Sequence, residues 1–115
     1  MNKIDERSFD FALRIIKLCQ FLNKNYSMES NILAKQLLRS GTSIGANVEE
    51  AQAGQSRADF IHKMAIALKE ARETNYWLRL LEASGILPKE KIAELLKESD
   101  EIKKIIGAII VSSKK

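Results

Sequence analysis

Between Phe60 and Leu81 the side chains suited to a core return at intervals of three and four: Phe60, Met64, Ala67, Ala71, Thr74, Leu78 and Leu81. That spacing keeps one face of an α-helix turned inward for about six turns. A strand, with its period of two, cannot use it. Three further segments of similar length carry the same period. With one proline and five glycines in 115 residues, the chain has too few turn formers for an all-β fold.

The first segment is predicted helical from about Asp5 to Asn23 and bears two stripes. Phe9, Ala12, Leu13 and Ile16 form one; Phe11, Ile15, Leu18 and Leu22 form the other. Together they exceed what one packed face consumes. After a loop at Lys24–Ser27, a second helix starts near Ser30 or Asn31, either of which can cap it. It runs to about Ala53 with Gly54 as C-cap, along Leu37, Ile44, Val48 and Ala51. Ser56-Arg57-Ala58-Asp59 has capping-box spacing, with aspartate in place of Glu or Gln, and starts a third helix that Ser84-Gly85 ends. Pro88 opens a fourth, where its missing N–H is harmless. That helix follows Ile92, Leu95, Leu96, Ser99, Ile102, Ile106 and Ile110 to about Val111. Short connections make successive helices antiparallel. The expected fold is all-α: one domain over residues 1–115, an up-down-up-down four-helix bundle.

Composition excludes several classes. No apolar run approaches the roughly 18 residues of a membrane span. The N-terminus, with Asp5 and Glu6, lacks the apolar core of a secretory signal, so the expected location is the cytoplasm. Cys19 is the sole cysteine, which rules out an intrachain disulfide; among Ile15, Ile16, Leu18 and Leu22 it reads as a buried hydrophobe rather than a reactive thiol. A net charge of +4, spread along the chain with a slight excess at Lys103, Lys104, Lys114 and Lys115, permits nucleic-acid contact without demanding it.

The second helix carries an unusual strip. Ser40, Ser43, Asn47 and Glu50 recur at i, i+3, i+7 and i+10, beside the apolar stripe and not opposite it. Such groups need hydrogen-bond partners, expected from another helix or another subunit. If Asn47 and Glu50 are buried and paired, Asn47→Leu costs stability; if the strip faces water, it does not. Gly41 and Gly45, four apart, either admit a neighbouring helix or weaken their own. On the third helix a second stripe, Ile66, Glu70, Glu73, Trp77 and Leu80 with Tyr76 beside it, marks an expected oligomer interface. The alternative is that Trp77 and Leu80 pack against their own chain.

Chemistry is sparse. Glu70 and Glu73 at i, i+3, with Glu50 nearby, are either an acid/base or metal pair or structural partners of Arg39, Arg72 and the polar strip; the structural reading is preferred. A di-metal carboxylate bundle needs Glu-x-x-His pairs, and the one histidine, His62, follows Asp59 instead. There is no phosphate-binding glycine loop and no nucleophile with its base. No catalytic residues, metal or cofactor are expected, and the chain is read as no enzyme. Candidate nucleic-acid contacts are Lys3, Arg7, Arg14 and Lys17 on the first helix and Lys97, Lys103 and Lys104 on the fourth. Interleaved with acids, such residues are more often a solvated face, although oligomerisation would add modest patches into a stronger field.

Leu38-Arg39-Ser40, Ser43-Ile44, Asn47-Val48-Glu49-Glu50, Phe60 and Glu73-Thr74-Asn75-Tyr76-Trp77-Leu78, followed by Glu98-Ser99-Asp100-Glu101-Ile102, resemble a four-helix-bundle family. It is named after proteins encoded in intervening sequences of 23S ribosomal RNA genes. The resemblance covers nearly the whole chain, departing where Ala51, not the usual glycine, follows Glu50. It implies a non-enzymatic bundle assembling with itself into a ring, typically a homopentamer, and makes Arg39, Ser40, Ser43, Asn47, Glu50 and Glu73 the signature positions. Members include the accessory protein of diversity-generating retroelements, which binds nucleic acid and a reverse transcriptase. The implied partners are RNA or DNA, or a nucleic-acid-processing protein. The function so implied is a nucleic-acid or ribonucleoprotein binding module; the alternative is a protein-binding scaffold with no nucleic-acid role.

Overall fold

A computed structural model describes residues 3–24 and 27–115. Four helices follow one another: α1 (Ile4–Lys24), α2 (Met28–Gln52), α3 (Arg57–Ser84) and α4 (Lys89–Ser113). They pack as an antiparallel bundle of 45 × 20 × 19 Å, its length matching a 28-residue α3 at about 1.5 Å per residue. Each helix packs along the next, α2 on α3 most extensively, and α1 and α4 close the ring with the least contact. Of the first loop, Asn25 and Tyr26 lie outside the described residues.

Local chemistry sets the boundaries, with two corrections. The cap of α2 is Ser27, three residues before Ser30: its Oγ accepts from Ser30 N at 3.0 Å and lies 2.8 Å from Ser30 Oγ. Ser30 is thereby buried inside the first turn. At the other end the C-cap is Ala53, with φ −88°, and Gly54 does not take the left-handed conformation. A Cβ on Gly54 would stand 3.1 Å from the Ala51 carbonyl and 3.3 Å from Asp59 Cβ, so the tight α2–α3 turn, not handedness, favours glycine. Ser56 accepts from Asp59 N at 3.1 Å, and Gly85 ends α3 at φ 78°, where residues with a Cβ are strained. Pro88 stands just outside α4 as its N-cap residue.

The core is built from the expected stripes. Phe11, Ile15 and Leu22 of α1 meet Leu37, Ile44 and Val48 of α2, Met64, Leu78 and Leu81 of α3, and Ile92, Ile102 and Ile106 of α4, all essentially inaccessible to water. The close approach of α1 to α2 depends on Gly41, since a Cβ there would sit 2.9 Å from Ile15 Cγ2. Gly45 is different: a Cβ would meet Ser8 at an ordinary 3.4 Å. The other stripe of α1, Phe9, Ala12, Leu13 and Ile16, stays largely outside, with Phe9 57% and Leu13 46% exposed.

Candidate functional site

The signature residues lie along the outer seam of α2 and α3. Arg39 reaches across it: Nη1 stands 3.2 Å from Glu70 Oε1, and Nη2 bonds Glu73 Oε2. Trp77 Nε1 donates to the same Glu73 oxygen at 3.2 Å. Beneath this cluster Ser40 and Thr74, both fully buried, share a hydrogen bond of 2.9 Å, and Thr74 Oγ1 lies 2.8 Å from the Glu70 carbonyl. One guanidinium thus answers two carboxylates at i and i+3, and Glu70 and Glu73 are engaged as structural partners.

The rest of the strip behaves otherwise. Ser43 Oγ donates to the Arg39 carbonyl at 2.7 Å, and Asn47 Nδ2 to the Ser43 carbonyl at 2.9 Å. These bonds return to their own helix, as small polar side chains commonly do. Glu50 is exposed and stands apart from the Arg39–Glu70–Glu73 cluster. The expectation that the strip finds its partners on another helix therefore holds for Ser40 but not for Ser43 and Asn47.

On the outer side of α3, Ile66 and Trp77 are half-buried, Glu70 is buried under Arg39, and Tyr76 and Leu80 are exposed. Tyr76 and Trp77 meet edge to face at 5.2 Å, and the Arg79 guanidinium lies 5.6 Å over the Tyr76 ring, within cation–π range.

A second polar junction has no counterpart among the sequence expectations. Asn75, buried, donates to Ser99 Oγ at 3.2 Å and Asp100 Oδ1 at 3.1 Å, and accepts from Arg79 Nε at 3.0 Å. It joins α3 to α4 through a buried group whose bonds are met, which fixes their register. Asn75 and Asp100 both stand in the blocks that carry the family resemblance; their pairing across 25 residues leaves no local signal.

The candidate cations divide into paired and free. Arg7 binds Glu98 through Nε at 3.0 Å and Nη2 at 2.6 Å. The hydrogen bond to Glu98 raises the Arg7 pKa above its ordinary value, against a smaller opposing effect of desolvation and with help from the Glu98 and Glu101 charges. Lys103 stands 3.5 Å from Asp100. Lys3, Arg14, Lys17, Lys97 and Lys104 are all exposed and carry no ion pair among the described residues. Arg14 and Lys17 border a shallow depression between α1 and α4 whose floor is Leu18, Phe21 and Leu95. Lys91, not among the cations expected from the sequence, closes it, with Nζ 4.8 Å from the Phe21 ring centre.

Elsewhere, Cys19 is buried, its thiol donates to the Ala34 carbonyl at 3.4 Å, and burial pushes its pKa up to about 11. His62 is exposed. Among the described residues no three His, Cys, Asp or Glu side chains are grouped to hold a metal ion, and no helix is long and apolar enough to cross a membrane.

A small antiparallel helical bundle, with Arg39, Ser40, Glu70 and Glu73 engaged on the α2–α3 seam and Arg14 and Lys17 unpaired beside the α1–α4 depression, defines the class of protein. The chain belongs to the 23S rRNA-intervening sequence protein family, whose pattern matches residues 2–108. It is similar to a crystal structure of a protein with unknown function from the S23 ribosomal protein family of Bacteroides thetaiotaomicron. The two are 46% identical over 93% of this chain and 97% of that one, with a TM-score of 0.84. No curated protein matches the chain.

Proposed function

We propose that this protein is a non-enzymatic, self-associating module of the cytoplasm that binds nucleic acid, RNA foremost. The observation that carries the proposal is the α1–α4 depression, where Arg14, Lys17 and Lys91 surround a half-buried aromatic ring and an apolar floor. Cations beside an aromatic ring suit a phosphate backbone with an adjacent unstacked base. A formal charge of +4 per chain is multiplied by self-association, for which the family resemblance implies a ring, typically a pentamer. The name of the family, which refers to ribosomal RNA, supports the same direction.

Fluorescence anisotropy with labelled structured RNA, single-stranded RNA and duplex DNA tests this reading. Binding should weaken steeply with salt, because each neutralised phosphate releases a counterion. Arg14→Glu with Lys17→Glu should weaken all binding and flatten the salt slope by about one for each phosphate no longer neutralised. Absence of binding at low salt overturns the proposal. The exposed Phe9 and Leu13 favour a second reading, a protein-binding scaffold, whose partner binding would be insensitive to salt.

A further inference from the structure

Two exposed apolar patches of this chain carry opposite charge. On the α1–α2 seam, Phe9 and Leu13 are exposed beside Asp10 and Glu49. Neither carboxylate has an ion pair among the described residues. On the outer face of α3, Tyr76 and Leu80 are exposed beside Lys69, Arg72 and Arg79. Of the acids on the same helix, Glu73, four residues after Lys69, is held by Arg39 instead, and Glu82 lies three residues beyond Arg79 at the far end of the patch. One patch is therefore apolar and acidic, the other apolar and basic.

Their heights along the bundle also agree. Ile15 packs on Gly41, and Ser40 bonds Thr74, so Ile16 and Tyr76 stand at about one level. Ser8 packs on Gly45, five residues beyond Ser40 on α2. Because α2 and α3 are antiparallel, the residue of α3 at that level is near Lys69, five before Thr74. Ser8 is thus level with Lys69, Asp10 stands about 3 Å further along, and Leu13 falls between Arg72 and Tyr76. Helices α1 and α3 run in the same direction, so a rotation about an axis parallel to the bundle carries the α1–α2 patch of one copy against the α3 patch of the next without sliding. A two-fold contact centred on either patch would set it against itself, acid on acid or cation on cation, and one crossing the two patches would stop at a dimer and could not continue into a ring.

We infer that the occupant of the α1–α2 seam is the α3 face of a second copy, in a head-to-tail contact that pairs Asp10 and Glu49 with Lys69 and Arg72 around Leu13 and Tyr76. This inference rests on the self-association reading and specifies the two halves of its interface. The α1–α4 depression opens on the other flank of α1, where Arg14 and Lys91 gather.

The test uses the full chain and two variants, Leu13→Arg and Tyr76→Glu, by sedimentation velocity, with circular dichroism to verify that both remain helical. Each variant alone should associate at least about tenfold more weakly than the wild type, as when a central interface residue is spoiled. Mixed together, they should form a 1:1 dimer and nothing larger. The intact α3 face of Leu13→Arg meets the intact seam of Tyr76→Glu, and the two spoiled faces end the chain. A wild-type assembly unchanged in either variant, or a mixture that stays monomeric, overturns the head-to-tail contact while leaving self-association standing. A wild type that is itself monomeric removes the self-association reading, and the inference falls with it.

Discussion

Arg7 and Glu98 are 91 residues apart in sequence and joined by two hydrogen bonds, Nε to Oε2 at 3.0 Å and Nη2 to Oε1 at 2.6 Å. The pair ties the start of α1 to α4 across the least extensive contact in the bundle. Parallel bonds of a guanidinium to a carboxylate are the stronger kind. Both side chains are nonetheless partly open to water, which limits their worth. Glu98→Gln should cost about 0.5–1 kcal/mol in urea unfolding, and native-state hydrogen exchange should quicken most at the start of α1. A uniform change over all four helices would contradict this.

Gly41 and Gly45 should respond oppositely to alanine. Gly41→Ala drives a methyl against Ile15, which is fully buried and branched at Cβ, so it has little room to yield. Overpacking of about 1–3 kcal/mol should outweigh the gain in helix propensity of about 1 kcal/mol. Gly45→Ala meets only ordinary contacts and should stabilise by about 0.5–1 kcal/mol. Thermal denaturation of both variants checks the contrast.

The two halves of the polar strip should differ just as clearly. Asn47 is half-buried and bonds only its own helix at the Ser43 carbonyl. Asn47→Leu should stay within about 0.5 kcal/mol of the wild type. Thr74→Val, which leaves the buried Ser40 hydroxyl without its partner, should cost about 1–3 kcal/mol. Equal effects in chemical denaturation would mean that the strip acts as one unit.

Cys19 supplies a pH dependence of known sign. Its thiol has a folded pKa of about 11, above the ordinary thiol value of 9.0, because burial disfavours the thiolate. The neutral thiol therefore favours the folded state fully below pH 9. That contribution declines as pH rises toward 11, where the unfolded chain has already lost its proton. Alkylation of the native protein at pH 8 should be slow and should accelerate on unfolding in urea; rapid native labelling would show the thiol to be accessible. Cys19→Ala should remove this component of the alkaline decline.

Much of this architecture is determined by the sequence alone. Four helices, their core stripes and the Gly85 stop are local properties: an apolar period near 3.6 and a glycine able to take positive φ identify themselves within a few residues. The resemblance of the signature blocks likewise points to the right family. What only the tertiary structure decided is where equivalent-looking polar groups find partners. Ser40 and Ser43 are three residues apart on one strip, yet Ser40 is buried against Thr74 while Ser43 turns back to its own helix. Arg7 and Arg14 look alike as candidate cations, yet Glu98 takes the first and leaves the second open. Gly41 and Gly45 differ by a few tenths of an ångström in the approach of α1. Each outcome depends on the rotation and height of one helix against another. Those are set by packing the whole core at once, and no local period of the chain encodes them.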